Sequence, residues 1–261
     1  MDLGLRDKTA LVLGAGGGLG RAISVALARE GARVGAADLN AELLAPTLQD
    51  IADAGSEGLP LAWDLGDLTQ IDRQVAALEA AFGPVDVLVN NTGGPPPTPA
   101  AGQSTDLWRA QFNAMVLSVI AITDRVLPAM RERKWGRIIT STSSGVLAPI
   151  ANLGLSNSLR LTLVGWSKTL AREVARDGIT CNVVLPGRIA TRRILFLDQA
   201  KAERERRTVE AVTSESTSSI PVGRYGRPEE YANVVAFLAS ERASYITGSS
   251  IRVDGGLIAS I

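Results

Sequence analysis

Apolar runs alternate with amphipathic stretches almost from one end of the chain to the other. TALVLG (9–14) is β-rich and closes in glycine, and LGRAISVALAREGA (19–32) follows with helical spacing and ends in glycine. RVGAAD (33–38) predicts the next strand, 41–53 a helix, 59–64 a strand and 67–82 another helix. VDVLVNN (85–91) is a strand entering a Gly/Pro loop, and a long helical tract covers about 104–132. A strand at 136–143, a long helix at 155–176, a strand at 179–187, a helix at 228–240 and a last strand near 249–253 complete the pattern. Regular strand–helix alternation predicts an α/β fold: a doubly wound parallel sheet covered on both faces, three layers deep. No repeat or low-complexity linker divides the chain, so 1–261 reads as a single domain. The stretch at about 188–226 reads as an irregular insertion. Placed after a strand's carboxyl end, it is either a substrate lid or a plain surface excursion.

The 261 residues suffice for a large core without disulfides or metals. Lys+Arg and Asp+Glu are 27 each, so the chain is neutral and gives no electrostatic reason to expect nucleic acid or an anionic membrane surface as partner. Cys181 is the only cysteine, which excludes an internal disulfide and any cysteine-cluster metal site. It lies in an apolar strand and reads as a buried, inert thiol. There is no histidine, so His-ligated metals, Ser-His-Asp hydrolysis and histidine acid–base schemes are excluded. No metal site is expected. MDLGLRDK lacks the apolar core of a signal peptide and no apolar run of spanning length is evident, so a cytoplasmic protein without a membrane segment is expected.

The first strand runs into GAGGGLG, with Gly14, Gly18 and Gly20. Glycines there allow a tight turn and let backbone amides approach a pyrophosphate, while the next helix presents its N-terminus to the anion. A Gly-rich turn without ligand is the plainer reading. Asp38 ends the second strand, 18 residues after Gly20. A carboxylate there accepts hydrogen bonds from both adenosine ribose hydroxyls and repels a 2′-phosphate. No base interrupts the glycine loop and Leu39 follows Asp38, so NAD(H) is expected over NADP(H). A turn-forming role before Asn40 is the competing reading of Asp38.

These residues resemble those of the short-chain dehydrogenase/reductase family, especially its β-ketoacyl-carrier-protein-reductase-like members, over nearly the whole chain. GAGGGLG is similar to TGxxxGxG, with Leu13 in place of the threonine. Asp64 in WDLGD resembles the aspartate that contacts adenine, and Asn90-Asn91-Thr92-Gly93 resembles NNAG beside the cofactor. Asn113 in WRAQFNAMVLS is matched to the active-site asparagine, which would hold a water chain. Pro186-Gly187-Arg188-Ile189-Ala190-Thr191 resembles PGxIxT, whose Ile and Thr positions hold the nicotinamide carboxamide. GRPEEYANVVAFLAS and ITGSSIRVDGG resemble the C-terminal signature. The resemblance implies a Rossmann-type sheet of about seven parallel strands and a homodimer or homotetramer built on the two long helices. It also implies that Gly14, Gly18, Gly20, Asp38, Asp64, Asn91, Gly93, Arg160, Pro186, Gly187, Ile189 and Thr191 bind the cofactor.

The family's chemistry uses Ser, Tyr and Lys. The serine is Ser143, which would orient substrate, but the tyrosine position holds Ser156 and the lysine position Arg160. YxxxK is thus replaced by SNSLR, and the chain's only tyrosines, Tyr225, Tyr231 and Tyr245, are C-terminal. A phenol has a reference pKa of about 10, while an aliphatic hydroxyl is far less acidic, so Ser156 would relay a proton rather than supply one. Arg160 lies one turn further on the same helix face and carries a permanent charge. Three readings follow. One is an NAD(H)-dependent oxidoreductase acting on a small carbonyl/alcohol or imine/amine substrate through Ser143, Ser156, Arg160, Asn113 and water. Another is a catalytically silent NAD-binding regulatory or interaction protein. The last is a different reaction on a related scaffold, as in the halohydrin dehalogenases, which lack the intact glycine loop found here.

The segment 188–207 carries Arg188, Arg192, Arg193, Lys201, Arg204, Arg206 and Arg207 against Asp198, Glu203 and Glu205. It reads either as a solvated helix face or as the approach for an anionic substrate. The stiff stretch Gly94–Pro97 is either a rigid turn or a wall of the substrate pocket. Trp108 and Trp166 are candidates for the core or a subunit interface.

Overall fold

The computed structural model describes residues 2–261. Seven strands form one parallel sheet in the order β3-β2-β1-β4-β5-β6-β7. They are β1 (Thr9–Leu13), β2 (Arg33–Asp38), β3 (Gly58–Ala62), β4 (Val87–Asn90), β5 (Gly136–Ser141), β6 (Ile179–Pro186) and β7 (Ser250–Val253). β1 is buried throughout, and apolar after Thr9, because both its faces are covered. Ala10 and Val12 pack toward α1 (Gly18–Arg29), α2 (Ala41–Asp53) and α9 (Pro228–Ala239). Leu11 and Leu13 pack toward α3 (Ile71–Phe82), α5 (Ser118–Glu132) and α6 (Gly154–Val174). β4 alternates in the same sense, with Val87 and Val89 on the first side and Leu88 on the second. Each wholly buried Leu or Ile in these two layers contributes about 2 kcal/mol.

The helices start where the sequence offers caps. Asn40 accepts from the Leu43 amide at the head of α2, and Ser104 accepts from the Leu107 amide at the head of α4 (Thr105–Phe112). At α9, Pro228 occupies the first turn and the Glu230 carboxylate accepts from the Arg227 amide at 2.7 Å.

One expectation is corrected. Residues 188–226 are not irregular but contain α7 (Arg192–Glu205) and α8 (Val209–Ser218), capped by the Thr191 and Thr208 hydroxyls. Few apolar positions mark them, since only Asp198 and Ala202 of α7 are buried. The tract at 104–132 is one helical rod whose middle turn, Asn113–Leu117, is a π-turn between α4 and α5. By length and composition alone this rod is apolar enough to cross a membrane. Its apolar face instead packs on β5, α3 and α6.

Arg137 of β5 is 2% exposed and donates to the carbonyls of Gly136, Gly178 and Ser240 at 2.8–3.2 Å, over the Trp135 ring. Replacing it leaves buried acceptors without donors. Arg137→Met is expected to lower unfolding stability by about 3 kcal/mol, read as a drop in the urea midpoint with unchanged slope.

Candidate functional site

β1 pairs with both β2 and β4, so the chain departs from the sheet in opposite directions at its carboxyl edge. A crevice opens there, as the doubly wound topology requires. It is a cleft of about 1070 Å³ running from Asp38 and Asp64 at one end to Ser143, Ser156 and Arg160 at the other.

The turn from β1 to α1 is shaped by glycine. Gly14 has φ +63°, and a Cβ on Gly20 would stand 2.0 Å from the Gly14 carbonyl oxygen, so α1 can approach β1 only without a side chain there. A Cβ on Gly18 would stand 2.8 Å from the Thr191 methyl carbon, so the first residue of α1 lies against the N-cap of α7 beside the cleft. Helix N-termini favour anions. Asp38 is fixed at the rim, its Oδ2 accepting from Gly16 N at 2.9 Å and its Oδ1 from Leu39 N at 2.8 Å. Asp64 uses Oδ1 for the Gly66 amide and stands exposed at the same end. Arg21, the basic residue nearest the glycine turn, is engaged by Asp50 at 2.6 Å.

The other end is built from β4, β5, α6 and the loop after β6. Asn91 Nδ2 donates to Leu13 O at 3.2 Å, tying β4 to β1, and the Gly187 amide donates to Val253 O. Pro186, Gly187, Ile189 and Thr191 line the cleft, as does Gly93. Ser143 Oγ accepts from Gly145 N at 3.0 Å, which leaves its own proton free to point into the cleft. Ser156 lies on the first turn of α6, with no side-chain partner among the described residues. Arg160, one turn later, donates to the carbonyls of Ser141, Thr92 and Gly93 at 3.1–3.3 Å. Burial, and then the nearby Arg193 charge, push its pKa down to about 10.

Asn113 is not brought to this site. It is exposed at the start of the π-turn and lies off the cleft, which Gln111, Ala114 and Met115 line instead. Two residues along a helix turn a side chain through about 200°, so the position that faces the cleft belongs to buried Met115 and not to an amide. The other sequence-selected residues do converge on the cleft.

Several cleft groups were not placed at the site individually by the sequence. The Thr92 and Thr142 hydroxyls are buried at the cleft without partners in the chain. Arg193 reaches in from α7, where its charge alone could not show which way it points. Tyr231 of α9 is wholly buried, with Oη 2.8 Å from Ser141 Oγ beneath the cleft floor; burial raises its pKa, so it is a poor proton source. Cys181 is buried and its thiol is pushed up to about 12. Among the described residues, no three His, Cys, Asp or Glu side chains cluster to hold a metal.

An open parallel sheet with a glycine turn and adjoining helix N-termini at its switch point is a nucleotide-binding α/β domain. The glycine cradle and the orphaned Thr92 and Thr142 hydroxyls fit a nicotinamide dinucleotide laid along the cleft. A family profile described as Enoyl-(Acyl carrier protein) reductase matches residues 14–258. The chain is 37% identical to nodulation protein G of Azospirillum brasilense, covering 97% of this chain and 99% of that protein. It is 38% identical to 3-oxoacyl-[acyl-carrier-protein] reductase FabG of Escherichia coli K12, covering 98% and 99%. L-Sorbose reductase of Gluconobacter frateurii, solved with NADPH and L-sorbose, superposes with a TM-score of 0.94 at 29% identity over all of both chains. The chain belongs to the short-chain dehydrogenase/reductase family.

Gly20→Ala drives a methyl group into the Gly14 carbonyl. It is expected to weaken nucleotide binding at least about tenfold, measured by fluorescence titration with NADH, while far-UV circular dichroism stays unchanged.

Proposed function

We propose that the chain is an NAD(H)-dependent oxidoreductase that interconverts a carbonyl and an alcohol, or an imine and an amine, without a tyrosine acid. The observation that carries this reading is the convergence of Ser143, Ser156 and Arg160 on the end of the cleft opposite Asp38. When bound, the nicotinamide supplies or accepts the hydride. The chain's own groups then deal with the charge on the substrate heteroatom. Ser143 donates a hydrogen bond to it, held in place by the Gly145 amide. Ser156 offers a second hydroxyl and relays a proton from water. The Arg160 guanidinium keeps the site positive, and donors aimed at a developing oxyanion lower the barrier most when fixed in advance. The loop after β6 with α7 and α8 forms the lid, and the exposed Leu117 and Leu161 on α5's approach and α6 belong to a homodimer or homotetramer face.

NAD(H) is the proposed cofactor because Asp38 occupies the rim beyond β2 and Arg21 is already neutralised by Asp50. A 2′-phosphate would meet a fixed carboxylate without a free cation. NADPH in L-sorbose reductase makes this a direct comparison. NADH is expected to bind at least about tenfold tighter than NADPH, and Asp38→Ala to narrow that ratio severalfold.

The alternative, a catalytically silent NAD-binding protein, is favoured by one observation: Met115 faces the cleft where an amide was expected. Turnover separates the two. NADH oxidation would be followed with ketones, β-ketoacyl thioesters and cyclic imines. The enzyme reading expects turnover that Ser143→Ala lowers about 100-fold or more. With no histidine, site tyrosine or lysine, the kcat profile is expected to stay flat from about pH 6 to 9. A silent wild type beside an active Ser156→Tyr/Arg160→Lys double variant would establish the alternative.

A further inference from the structure

Two guanidinium groups stand at the catalytic end of the cleft with no carboxylate to answer them. All the recorded partners of Arg160 are carbonyl oxygens, those of Ser141, Thr92 and Gly93. Arg193 donates through one nitrogen to Pro95 O at 2.6 Å and lies 5.6 Å from the centre of the Phe196 ring. Among the described residues neither has an acidic oxygen within 4.0 Å. The contrast with their neighbour is direct, since Arg188 is paired with buried Asp198 at 2.9 Å.

The two charges converge. A Cβ built on Gly94 would stand 3.1 Å from Arg193 Nη2 and 3.6 Å from Arg160 Nη2, so both groups border the same small part of the cleft wall. Carbonyl dipoles satisfy some of their N–H groups but supply no net negative charge. Like charges held together at a half-buried cleft wall are unfavourable unless an anion joins them. Arg193 keeps donors without partners, in the planar fork that matches a carboxylate. The cleft's acidic residues, Asp38, Glu42 and Asp64, all lie at the opposite end.

We propose that the substrate is a carboxylate-bearing carbonyl or imine compound, a small oxo acid or its imine, whose carboxylate is clamped between Arg160 and Arg193 beside Gly94. This deepens the oxidoreductase reading and rests on it for the assignment of the substrate end. The clamp places the charged group to one side and turns the reducible carbon toward Ser143 and Ser156. It also accounts for Arg160 in place of a shorter lysine: the fork spans the Ser141 carbonyl of β5 and the Thr92 and Gly93 carbonyls after β4, and still lines the cleft.

The test measures binding by calorimetry, with acetoacetate and its neutral methyl ester as probes, on the full chain with and without saturating NADH. Acetoacetate is expected to bind at least about tenfold tighter than the ester, with the difference shrinking as salt rises. Arg193→Gln is expected to remove that preference while NADH affinity stays within about twofold, and Arg193→Lys to restore part of it. Equal affinity for acid and ester, or no acetoacetate binding at all, overturns the proposal. So does an Arg193→Gln variant that loses NADH affinity and keeps its acid preference, which would make the pair a clamp for cofactor phosphates. Acetoacetate bound through Arg193 by a chain that binds no NADH would sink the oxidoreductase reading and leave the clamp standing.

Discussion

The approach of α1 to β1, closed at Gly20 over the Gly14 carbonyl, is the contact on which the rest of the molecule depends. With no side chain between them, the helix N-terminus comes to rest at the carboxyl edge of the sheet's central strand. Because β1 is flanked by β2 on one side and β4 on the other, that edge is also where the sheet's winding reverses. One backbone contact therefore sets the position of the anion-favouring helix end, the depth of the crevice and the line along which a dinucleotide can lie. Thr191 closes the same space from the opposite side.

The cleft so formed is electrically polarised. Its outer end carries Asp38, Glu42 and Asp64, and its inner end carries Arg160 and Arg193. The two ends differ in how their charge is held. Asp38 is pinned by two backbone amides at the rim. Arg160 is half-buried against three carbonyls, with its affinity for the proton reduced by desolvation and by its cationic neighbour. The first arrangement is already satisfied within the chain, and the second is still short of negative charge.

Most of the sheet was legible because a strand covered on both faces carries a run of apolar residues, as β1, β4, β5 and β6 do despite polar members such as Arg137 and Asn182. β2 and α2 coincide with their expected bounds, since Asn40 marks the helix start chemically. α7 and α8 were not legible: their buried faces are short and partly polar, with Asp198 buried because Arg188 and Tyr225 reach it. The error at Asn113 has a different origin. Asn113 is the asparagine in WRAQFNAMVLS that matches a motif, and a motif match does not say which side of the helical turn faces the cleft; Met115 takes that side. Arg193 was legible as charge but not as direction.

The loss of tyrosine and lysine does more than weaken an acid. In a site with a phenol, the proton and the oxyanion contact come from one group. In the proposed reaction the two functions are separated: the hydroxyls of Ser143 and Ser156 would stabilise an oxyanion, while any proton would arrive from water. Such a site works best where the product anion is short-lived or where the substrate is already electron-poor, as an iminium is. A carboxylate clamped by two guanidinium groups fits that requirement. It brings the substrate's own negative charge to the cations, so the heteroatom's developing charge meets the hydroxyls and not a competing ion pair. The arginine at the lysine position is then a change of substrate handling as much as a change of catalyst.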